Sequence, residues 1–330
     1  MFLNGNAIAR AMTIDQIVRK LNGREHVKIR IGMRPSGAPH IGTIHVINNC
    51  FLLGKALIEN GQRASIDLTL ADMLPVKNGD YYGPLLRFDK FEYGEKKTKA
   101  DFYEERIVQY VKEASRFTRK HFGIEVPFRV TSDSGLEQRS RYRRILKTLL
   151  EVINAREGRK TIFDWDFKYA ICPRCQRGKP TEYEDGCLYA KCREHGEFVV
   201  NVLEDREPNI SLYFVIASVM RNMYLKPDVH VIGNEQKANG FISIMEDLMK
   251  MMAYEGPLHH TTTFFPEISK SLNPGIVDGY MEMIGKYATG ALVLTSECID
   301  RKGWKMAKED TALKMMEKFA AKLGYEPREQ

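Results

Sequence analysis

The sequence lacks the features that mark membrane-spanning and secreted proteins. In 330 residues, no apolar run approaches the roughly 20 residues that a membrane-spanning helix needs, and one of the longest, residues 214–220, includes a serine. Residues 1–10 contain no charged segment that leads into a long apolar core, as a signal peptide would. We therefore expect a cytoplasmic protein with no membrane partner.

Cysteine is scarce and unevenly placed. The chain has six cysteines, of which four lie between Cys172 and Cys192, whereas Cys50 and Cys298 stand alone. A secreted domain held together by disulfides would distribute its cysteines through a shorter chain. The clustering therefore points to a metal site.

Strong compositional bias is missing too. Apolar residues make up 43% of the chain and charged residues 28%, which excludes wholesale disorder and collagen-like or low-complexity architectures. We find no internal repeat. The net charge of +7 favours a polyanionic partner only weakly. The length suggests two compact units, or one large unit that carries an insertion.

What the N-terminal part does contain is the pattern of a βαβ unit. The predicted elements are a helix over 13–21 that starts with a capping box, a strand over 27–32, a loop over 33–39, a helix over 41–60 and a strand over 64–71. Gly61 is expected to end the long helix. The two strands of such a unit are parallel, and ligands bind at their carboxyl ends.

The remaining chain is also predicted to alternate helices with strands. Helices are expected over 101–122, 137–154, 211–223, 241–254 and 305–323, strands over 126–130 and 229–233, and a surface loop over 81–99.

The loop between the first strand and the long helix has the sequence Pro-Ser-Gly-Ala-Pro-His-Ile-Gly-Thr, from Pro35 to Thr43. A helix N-terminus offers unpaired N–H groups and partial positive charge, which suit phosphate. A glycine lets a planar base lie against the first helical turn, and an imidazole can bind phosphate oxygens. The alternative is a proline–glycine turn with an incidental histidine.

A second segment far downstream favours the phosphate interpretation. Residues 265–275 are rich in turn formers and place Lys270 between Ser269 and Ser271. A mobile lysine beside hydroxyls can neutralise the charge that develops on a departing pyrophosphate. The chain has no Gly-x-x-x-x-Gly-Lys-Ser/Thr sequence, which argues against a P-loop ATPase.

These two segments resemble the His-Ile-Gly-His and Lys-Met-Ser-Lys-Ser signatures of class I aminoacyl-tRNA synthetases. The sequence is most similar to the class I lysyl-tRNA synthetases, in the Pro-Ser-Gly-x-x-His-Ile-Gly loop, in residues 122–133, in the basic helix that follows and in the Cys-x-x-Cys module. The similarity covers most of residues 27–275. It departs from the signatures at Thr43, at Glu267 and in Gly-Asn-Glu-Gln, which begins at Gly233 where the family has Gly-x-Asp-His.

The resemblance implies an α/β fold with a Rossmann-like parallel sheet of the HUP type. It implies two halves of a catalytic domain over 1–160 and 206–275, an inserted zinc-ribbon module over 161–205 and a short helical tail over 276–330. Because only 55 residues follow Gly275, we expect a catalytic core without the anticodon-binding domain of the lysyl enzymes.

The resemblance also implies the site residues. His40 and Lys270 would be catalytic. Contacts with ATP would come from Pro35, Ser36, Gly37, His40, Gly42, Thr43, Gly233, Ser269, Lys270 and Ser271. The amino acid would be bound by Asp72, Glu235 and Gln236. Two of these carboxylates have ordinary alternatives, because Glu235 can start a helix and Asp72 can cap the turn before Pro75.

The cysteine cluster has the spacing of a zinc ribbon. Cys172 and Cys175 form one pair of ligands, and Cys192 and His195 form the second pair 16 residues later. Cys187 is an alternative to His195, and unbound thiols in a reducing compartment are the alternative to a metal. Four protein ligands leave no open position for a substrate, so we expect the Zn²⁺ to be structural.

Basic side chains concentrate around one helix, over 139–147 and 156–160, with further cations over 96–99 and 116–120. Such a stripe suits nucleic-acid phosphates, although a solvated helix face would look the same.

The expected function is ATP-dependent activation of an amino acid, lysine by resemblance, and its transfer to a tRNA or tRNA-like acceptor, with Mg²⁺ on the phosphates. The alternatives are a paralogue that loads another acceptor or modifies a tRNA base, a nucleotidyltransferase of the same superfamily, and a catalytically idle regulator that binds nucleotide or RNA. The oligomeric state stays open.

Overall fold

The computed structural model describes residues 12–35, 41–72, 75–78, 81–84, 99–137, 140–157, 167–170, 172–175, 178–184, 187–201, 210–212, 214–233 and 241–262, and residues 314, 317–318 and 321–322. Its helices are α1 (Ile14–Lys20), α2 (Ile41–Glu59), α3 (Lys99–Phe122), α4 (Asp133–Glu137), α5 (Ser140–Glu157), α6 (Phe214–Leu225) and α7 (Phe241–Met251). Its strands are β1 (His26–Met33), β2 (Arg63–Leu70), β3 (Pro75–Asn78), β4 (Tyr81–Pro84), β5 (Phe128–Ser132), β6 (Phe167–Ala170), β7 (Lys179–Glu184), β8 (Cys187–Cys192), β9 (Gly196–Asn201), β10 (Ile210–Leu212), β11 (Val229–Gly233) and β12 (Leu258–Thr262).

The centre of the fold is a five-stranded sheet in the order β12-β11-β1-β2-β5, in which every neighbouring pair is parallel. The chain builds outward from β1 through β2 to β5, and then continues on the other side of β1 with β11 and β12. This reversal is the hallmark of a Rossmann-like sheet. The predicted α/β fold is therefore confirmed.

Helices cover both sides of this sheet, because successive residues of a strand point to opposite faces. We call the side that packs on α2 the α2 face; its strand residues are apolar and include Val27, Ile29 and Ile31 of β1. We call the opposite side, which is covered by α5, α6 and α7, the α6 face. Ile232 joins the apolar cluster on that side.

The predicted βαβ unit is confirmed, together with the helix before it. The side chain of Thr13 accepts a hydrogen bond from the backbone of Gln16, and the Gln16 side chain accepts one from the backbone of Thr13, which is the capping box. Helix α2 ends at Glu59, and Gly61 follows with φ of +83°, a left-handed conformation that favours glycine.

Two predicted elements need correction. The expected loop over 81–99 begins with strand β4, which pairs antiparallel with β3. The expected helix over 211–223 starts only at Phe214, because residues 210–212 form a strand that pairs with β6. In both cases pairing with distant residues overrides the local pattern. The basic helix predicted over 137–154 corresponds to α5, Ser140–Glu157.

Other elements differ by a few residues or lie outside the description. Strand β5 begins two residues later than the predicted 126, after Pro127, which has no N–H to donate. Of the predicted tail helix over 305–323, the described residues 314, 317–318 and 321–322 are helical. Within the described part of the chain, no helix has the length and apolar character to span a membrane.

The segment between α5 and α6 contains a separate antiparallel sheet in the order β7-β8-β9. It carries Cys187 and Cys192 at opposite ends of β8.

Candidate functional site

The carboxyl edge of the central sheet is where the strand order reverses. The two strands that diverge there are β1 and β11, which end at Met33 and Gly233. Open parallel sheets bind ligands in the crevice at this point, because the connections leave the two strands in opposite directions. The candidate site is therefore the crevice over β1 and β11.

The described residues of the His-Ile-Gly-Thr segment lie at this edge. Helix α2 begins at Ile41, and Gly42 and Thr43 form its half-buried first turn. Pro35 is buried just beyond the end of β1. The first N–H groups of a helix have no intrahelical acceptor and suit an anion. Ser36, Gly37 and His40 lie outside the described residues.

Gly233 is the described residue from the second half of the predicted site. It is the buried last residue of β11 and pairs with Thr262 of β12, so it lies at the same sheet edge as the end of β1. The other predicted residues of this half, Glu235, Gln236, Ser269, Lys270 and Ser271, lie outside the described residues, as does Glu267.

Asp72 follows β2 and is 1% exposed. One carboxylate oxygen accepts a hydrogen bond from the Ser134 backbone at 3.0 Å, and the other accepts one from the Ser134 hydroxyl. Burial, and secondarily the charge of Asp133, raise the pKa of Asp72 to about 6. The Asp72 side chain therefore binds the start of α4. Its pKa nevertheless lies below neutral pH.

A row of polar residues crosses the α6 face in a single register. The paired residues are, from β5 to β12, Arg129, Asp67, Arg30, His230 and His259. Arg129 binds Asp67 through two nitrogens, one of them at 3.0 Å. Arg30, His230 and His259 are at most 3% exposed. The row is not apparent in the sequence, because each of its five residues comes from a different strand.

Two fully buried arginines lie at the centre of the α6 face. Arg221 of α6 binds both carboxylate oxygens of Asp133, one of them at 2.6 Å. Arg30 Nη1 donates a hydrogen bond to Asn222 Oδ1 at 2.5 Å and lies 3.4 Å from His230 Nε2. Burial, and the like charge of Arg221, lower the pKa of Arg30 to about 9, so it is still protonated at pH 7.

The two histidines of the row are held neutral. Burial, together with the charge of Arg30, lowers the pKa of His259 to about 4. Burial, Arg30 and His259 lower that of His230 well below its usual value. Glu246 Oε1 lies 3.7 Å from His259 Nε2, too far for a hydrogen bond.

A cavity of about 420 Å³ lies beside the carboxyl ends of β2 and β5, between these strands and α3. Its lining includes Glu104 and Glu105. Two carboxylates would repel a triphosphate, so the crevice over β1 and β11 is the better candidate for a nucleotide.

The four predicted metal ligands come together. One ligand atom each from Cys172, Cys175, Cys192 and His195 lies within 4.8 Å of all the others. Cys175 Sγ lies 3.3 Å from Cys192 Sγ, and His195 Nδ1 lies 3.7 Å from Cys172 Sγ and 3.5 Å from Cys192 Sγ. Ligands about 2.3 Å from a tetrahedral zinc ion are separated by about 3.8 Å, so this donor set fits Zn²⁺.

Cys187 is not part of this group. It lies at the other end of β8 from Cys192, and five residues of strand correspond to roughly 16 Å. Among the described residues, the group that could hold a metal ion therefore includes His195 and not Cys187.

No protein-family model matches the sequence, and no curated protein matches it either. Solved structures do match. The glutamate-tRNA synthetase of Elizabethkingia anophelis aligns with 88% of this chain and 65% of its own, with 12% identity and a TM-score of 0.45. The glutamate tRNA ligase of Elizabethkingia meningosepticum, in complex with its amino acid, aligns with 87% of this chain and 64% of its own, with 14% identity and a TM-score of 0.43.

A tyrosyl-tRNA synthetase from Archaeoglobus fulgidus, complexed with L-tyrosine, aligns with 77% of this chain and 62% of its own, at 13% identity and a TM-score of 0.38. The chain therefore spans somewhat less than two thirds of each of these three structures. All three are tRNA synthetases by description.

Proposed function

We propose that this chain activates an amino acid with ATP and transfers the aminoacyl group to a tRNA or tRNA-like acceptor. The observation that carries the proposal is the position of Gly42 and Thr43, in the first turn of α2, at the sheet edge where the strand order reverses. A crevice of this kind suits a nucleotide, and the helix N-terminus suits its phosphates. The reaction itself is inferred from the resemblance to class I synthetases, in the loop before α2 and in residues 265–275.

In this reaction the carboxylate of the amino acid attacks the α-phosphorus of ATP, and pyrophosphate leaves. His40 and Lys270 would stabilise the charge that moves onto the phosphates, and Ser269 and Ser271 would hold the β- and γ-phosphates. Positioning and charge stabilisation account for the acceleration, so no protein nucleophile or general base is required. Mg²⁺, which accompanies ATP, would shield the phosphates.

The amino acid that the resemblance implies is lysine. Asp72 is the described candidate for the substrate's amino group, because it lies at the carboxyl end of β2, next to β1. With a pKa of about 6, its carboxyl is mostly ionised at pH 7, as a partner for an ammonium group has to be.

ATP–pyrophosphate exchange, measured with each amino acid in turn, tests the proposal. We expect exchange with one amino acid and its loss in Lys270→Ala, with the zinc content and melting temperature of that variant unchanged. Exchange with no amino acid, with or without tRNA, would contradict the proposal. ATP binding without exchange would instead support the idle nucleotide-binding regulator.

The acceptor is proposed from the charge on α5. Arg141, Arg144 and Lys147 are exposed along this helix. Lys and Arg that neutralise phosphates make binding salt-dependent. Replacing Arg144 and Lys147 with glutamine should weaken tRNA binding and reduce the slope of log K against log salt by about 1–2. An unchanged slope would show that α5 presents an ordinary solvated face.

We propose a structural role for zinc in the β7–β9 module. Hydrogen bonds from the Cys175 and Arg174 backbones lower the pKa of the Cys172 thiol, against the raising effect of burial, and so favour the thiolate that a metal ligand needs. We expect one zinc per chain by elemental analysis, loss of zinc in Cys175→Ser and retention in the matched variant Cys187→Ser. Zinc-free protein from a purification without chelator would contradict the proposal.

A further inference from the structure

The carboxylate of Asp72 accepts two hydrogen bonds from one residue, Ser134 at the start of α4. The Ser134 backbone N–H donates to Asp72 Oδ1 at 3.0 Å, and the Ser134 hydroxyl donates to Oδ2. Asp72 follows β2 and Ser134 follows β5, so these bonds join the carboxyl ends of two neighbouring strands. A carboxylate can accept about four hydrogen bonds, so those from Ser134 leave room for an ammonium group.

A second serine extends this network. Ser132 Oγ lies 3.1 Å from Ser134 Oγ, and the Gly135 N–H donates to Ser132 Oγ at 3.1 Å. A hydroxyl has a single proton to donate. Because the proton of Ser134 points to Asp72, the bond between the two serines uses the proton of Ser132. We call Ser132 and Ser134 the serine relay, since its donors all point one way and end on the Asp72 carboxylate.

The direction of these donors affects the charge of the carboxylate. Successive hydrogen bonds in one direction polarise each other, so Ser134 becomes a stronger donor than an isolated hydroxyl. Donors that point to a carboxylate favour its ionised form. Burial and the charge of Asp133 raise the pKa of Asp72, whereas the hydrogen bonds from Ser134 lower it, and the pKa is about 6 as a result.

The start of α4 is itself fixed in position. Asp133, its first residue, is 2% exposed and binds Arg221 of α6 through both carboxylate oxygens. Such a two-point bond between guanidinium and carboxylate defines the geometry of both groups. Asp133 and Arg221 are also charged groups on the packed helices that interact electrostatically with Asp72, and both are unchanged when the serine relay is substituted.

We propose that Ser132 and Ser134 are positioning residues for the amino-acid substrate, because they hold the Asp72 carboxylate in place and ionised for the substrate's ammonium group. This inference rests on the proposed function, in which Asp72 binds that group. Neither serine has to touch the substrate. A lysine or arginine in their place would compete with the ammonium group for the carboxylate, whereas a neutral hydroxyl leaves the negative charge to the substrate.

Exchange kinetics at several pH values test the inference. Ser134→Ala removes the hydroxyl donor and keeps the backbone donor, so Asp72 should take up its proton at a higher pH. The ratio of kcat/KM for the amino acid, wild type divided by variant, should be near 1 at pH 8 and increase to about 5- to 10-fold at pH 5.5. The KM for ATP should be nearly unchanged. A purely structural defect would instead lower kcat/KM by the same factor at each pH.

Three further variants control this result. Ser134→Thr keeps the hydroxyl and should restore the wild-type pH profile. Ser132→Ala should shift the profile in the same direction as Ser134→Ala, by a smaller factor. Thr131→Val is the matched control, because the Thr131 hydroxyl lies near Thr69 and the Leu68 carbonyl, and its ratio should stay near 1 throughout. A ratio for Ser134→Ala that does not change with pH would overturn the inference and leave the proposed function intact.

A measurement without catalysis tests the serine relay independently. Exchange with no amino acid would overturn the proposed function itself and, with it, the part of the inference that concerns the substrate. The ¹³C resonance of the Asp72 carboxyl, assigned by its loss in Asp72→Asn, should titrate at a higher pH in Ser134→Ala than in the wild type. Equal titration in the two proteins would show that the serine relay does not keep Asp72 ionised, and would overturn the inference.

Discussion

Side chains of the central sheet that are equally buried differ sharply in polarity between its two faces. On the α2 face, Val27, Ile29 and Ile31 of β1 are at most 1% exposed and pack against apolar neighbours. On the α6 face, Arg30 of the same strand is fully buried between Asp67 and His230. One strand thus carries an ordinary hydrophobic core on one side and a row of charges and imidazoles on the other.

The side chains on the two faces therefore differ in how much they contribute to the stability of the fold. Each apolar side chain that is buried on the α2 face stabilises the protein by about 1.5–3 kcal/mol. A buried charge has to be desolvated and is compensated only by good partners, and apolar residues of similar volume would often be as stable or more stable. The burial of the polar row is therefore not explained by its contribution to stability alone.

The largest effect should come from breaking the strongest contact of the α6 face. Asp133→Ala leaves the fully buried Arg221 without its carboxylate, and breaking a buried ion pair in this way costs about 3–5 kcal/mol. Urea unfolding measures the loss. The matched control is Glu25→Gln, which breaks the exposed pair with Arg63 and should cost at most about 1 kcal/mol. Equal losses in the two variants would show that the interior pair has no special role.

On the α2 face, Ile29→Ala should destabilise the protein by about 2–5 kcal/mol, because it removes methylene groups from a tightly packed core and leaves a cavity. Urea unfolding with an unchanged m value would check this. Val199→Ala, at a side chain that is 54% exposed, is the control and should change little. A loss below about 1 kcal/mol at Ile29 would mean that this face is less tightly packed than its burial indicates.

The sequence was sufficient to predict most of the α2 face. The helical spacing over 41–60, the glycine that ends this helix and the two flanking strands predicted the βαβ unit, because local pattern and tertiary packing agree there. The cysteine spacing also predicted that Cys172, Cys175, Cys192 and His195 come together, since the chemistry of zinc restricts the residue types of a candidate site and their separation. The choice between His195 and Cys187 required the geometry of β8.

The α6 face could not be predicted in the same way. The alternation of apolar and charged residues over 27–32 indicates a strand that is half exposed, yet β1 is the central strand and is covered on both faces. Central parallel strands are normally apolar throughout. A charged residue on this strand was the signal in the sequence. It indicates a buried polar site only if the strand is known to be central. Arg221 gave no signal, because its partner Asp133 is 88 residues away.

The pH dependence of stability should distinguish the two faces as well. Because burial and Arg30 lower the pKa of His259 from 6.5 to about 4, the unfolded chain binds a proton between these pH values and the folded chain does not. The stability is complete above pH 6.5 and is lost as the pH falls toward 4, by about 1–3 kcal/mol. Asp72, whose pKa is raised, acts in the opposite direction over part of this range.

Comparison with His259→Asn removes the contribution of Asp72, which is present in both proteins, and leaves that of His259 together with its effect on the neighbouring His230. The difference in unfolding free energy, wild type minus variant, should decrease as the pH is lowered from 7 to 4.5 in urea titrations. Parallel pH profiles would show that His259 is not held neutral by the α6 face.

The smallest effect is expected from Arg30→Met, one residue along β1 from Ile29 and on the opposite face. Loss of the hydrogen bond to Asn222 costs about 1 kcal/mol, whereas relief from desolvation and from the like charge of Arg221 acts in the opposite direction. We expect a net change within about 1 kcal/mol in urea unfolding. A cost as large as that of Ile29→Ala would mean that Arg30 stabilises the fold as a core residue does. A near-neutral result would mean that folding does not require the charge of Arg30.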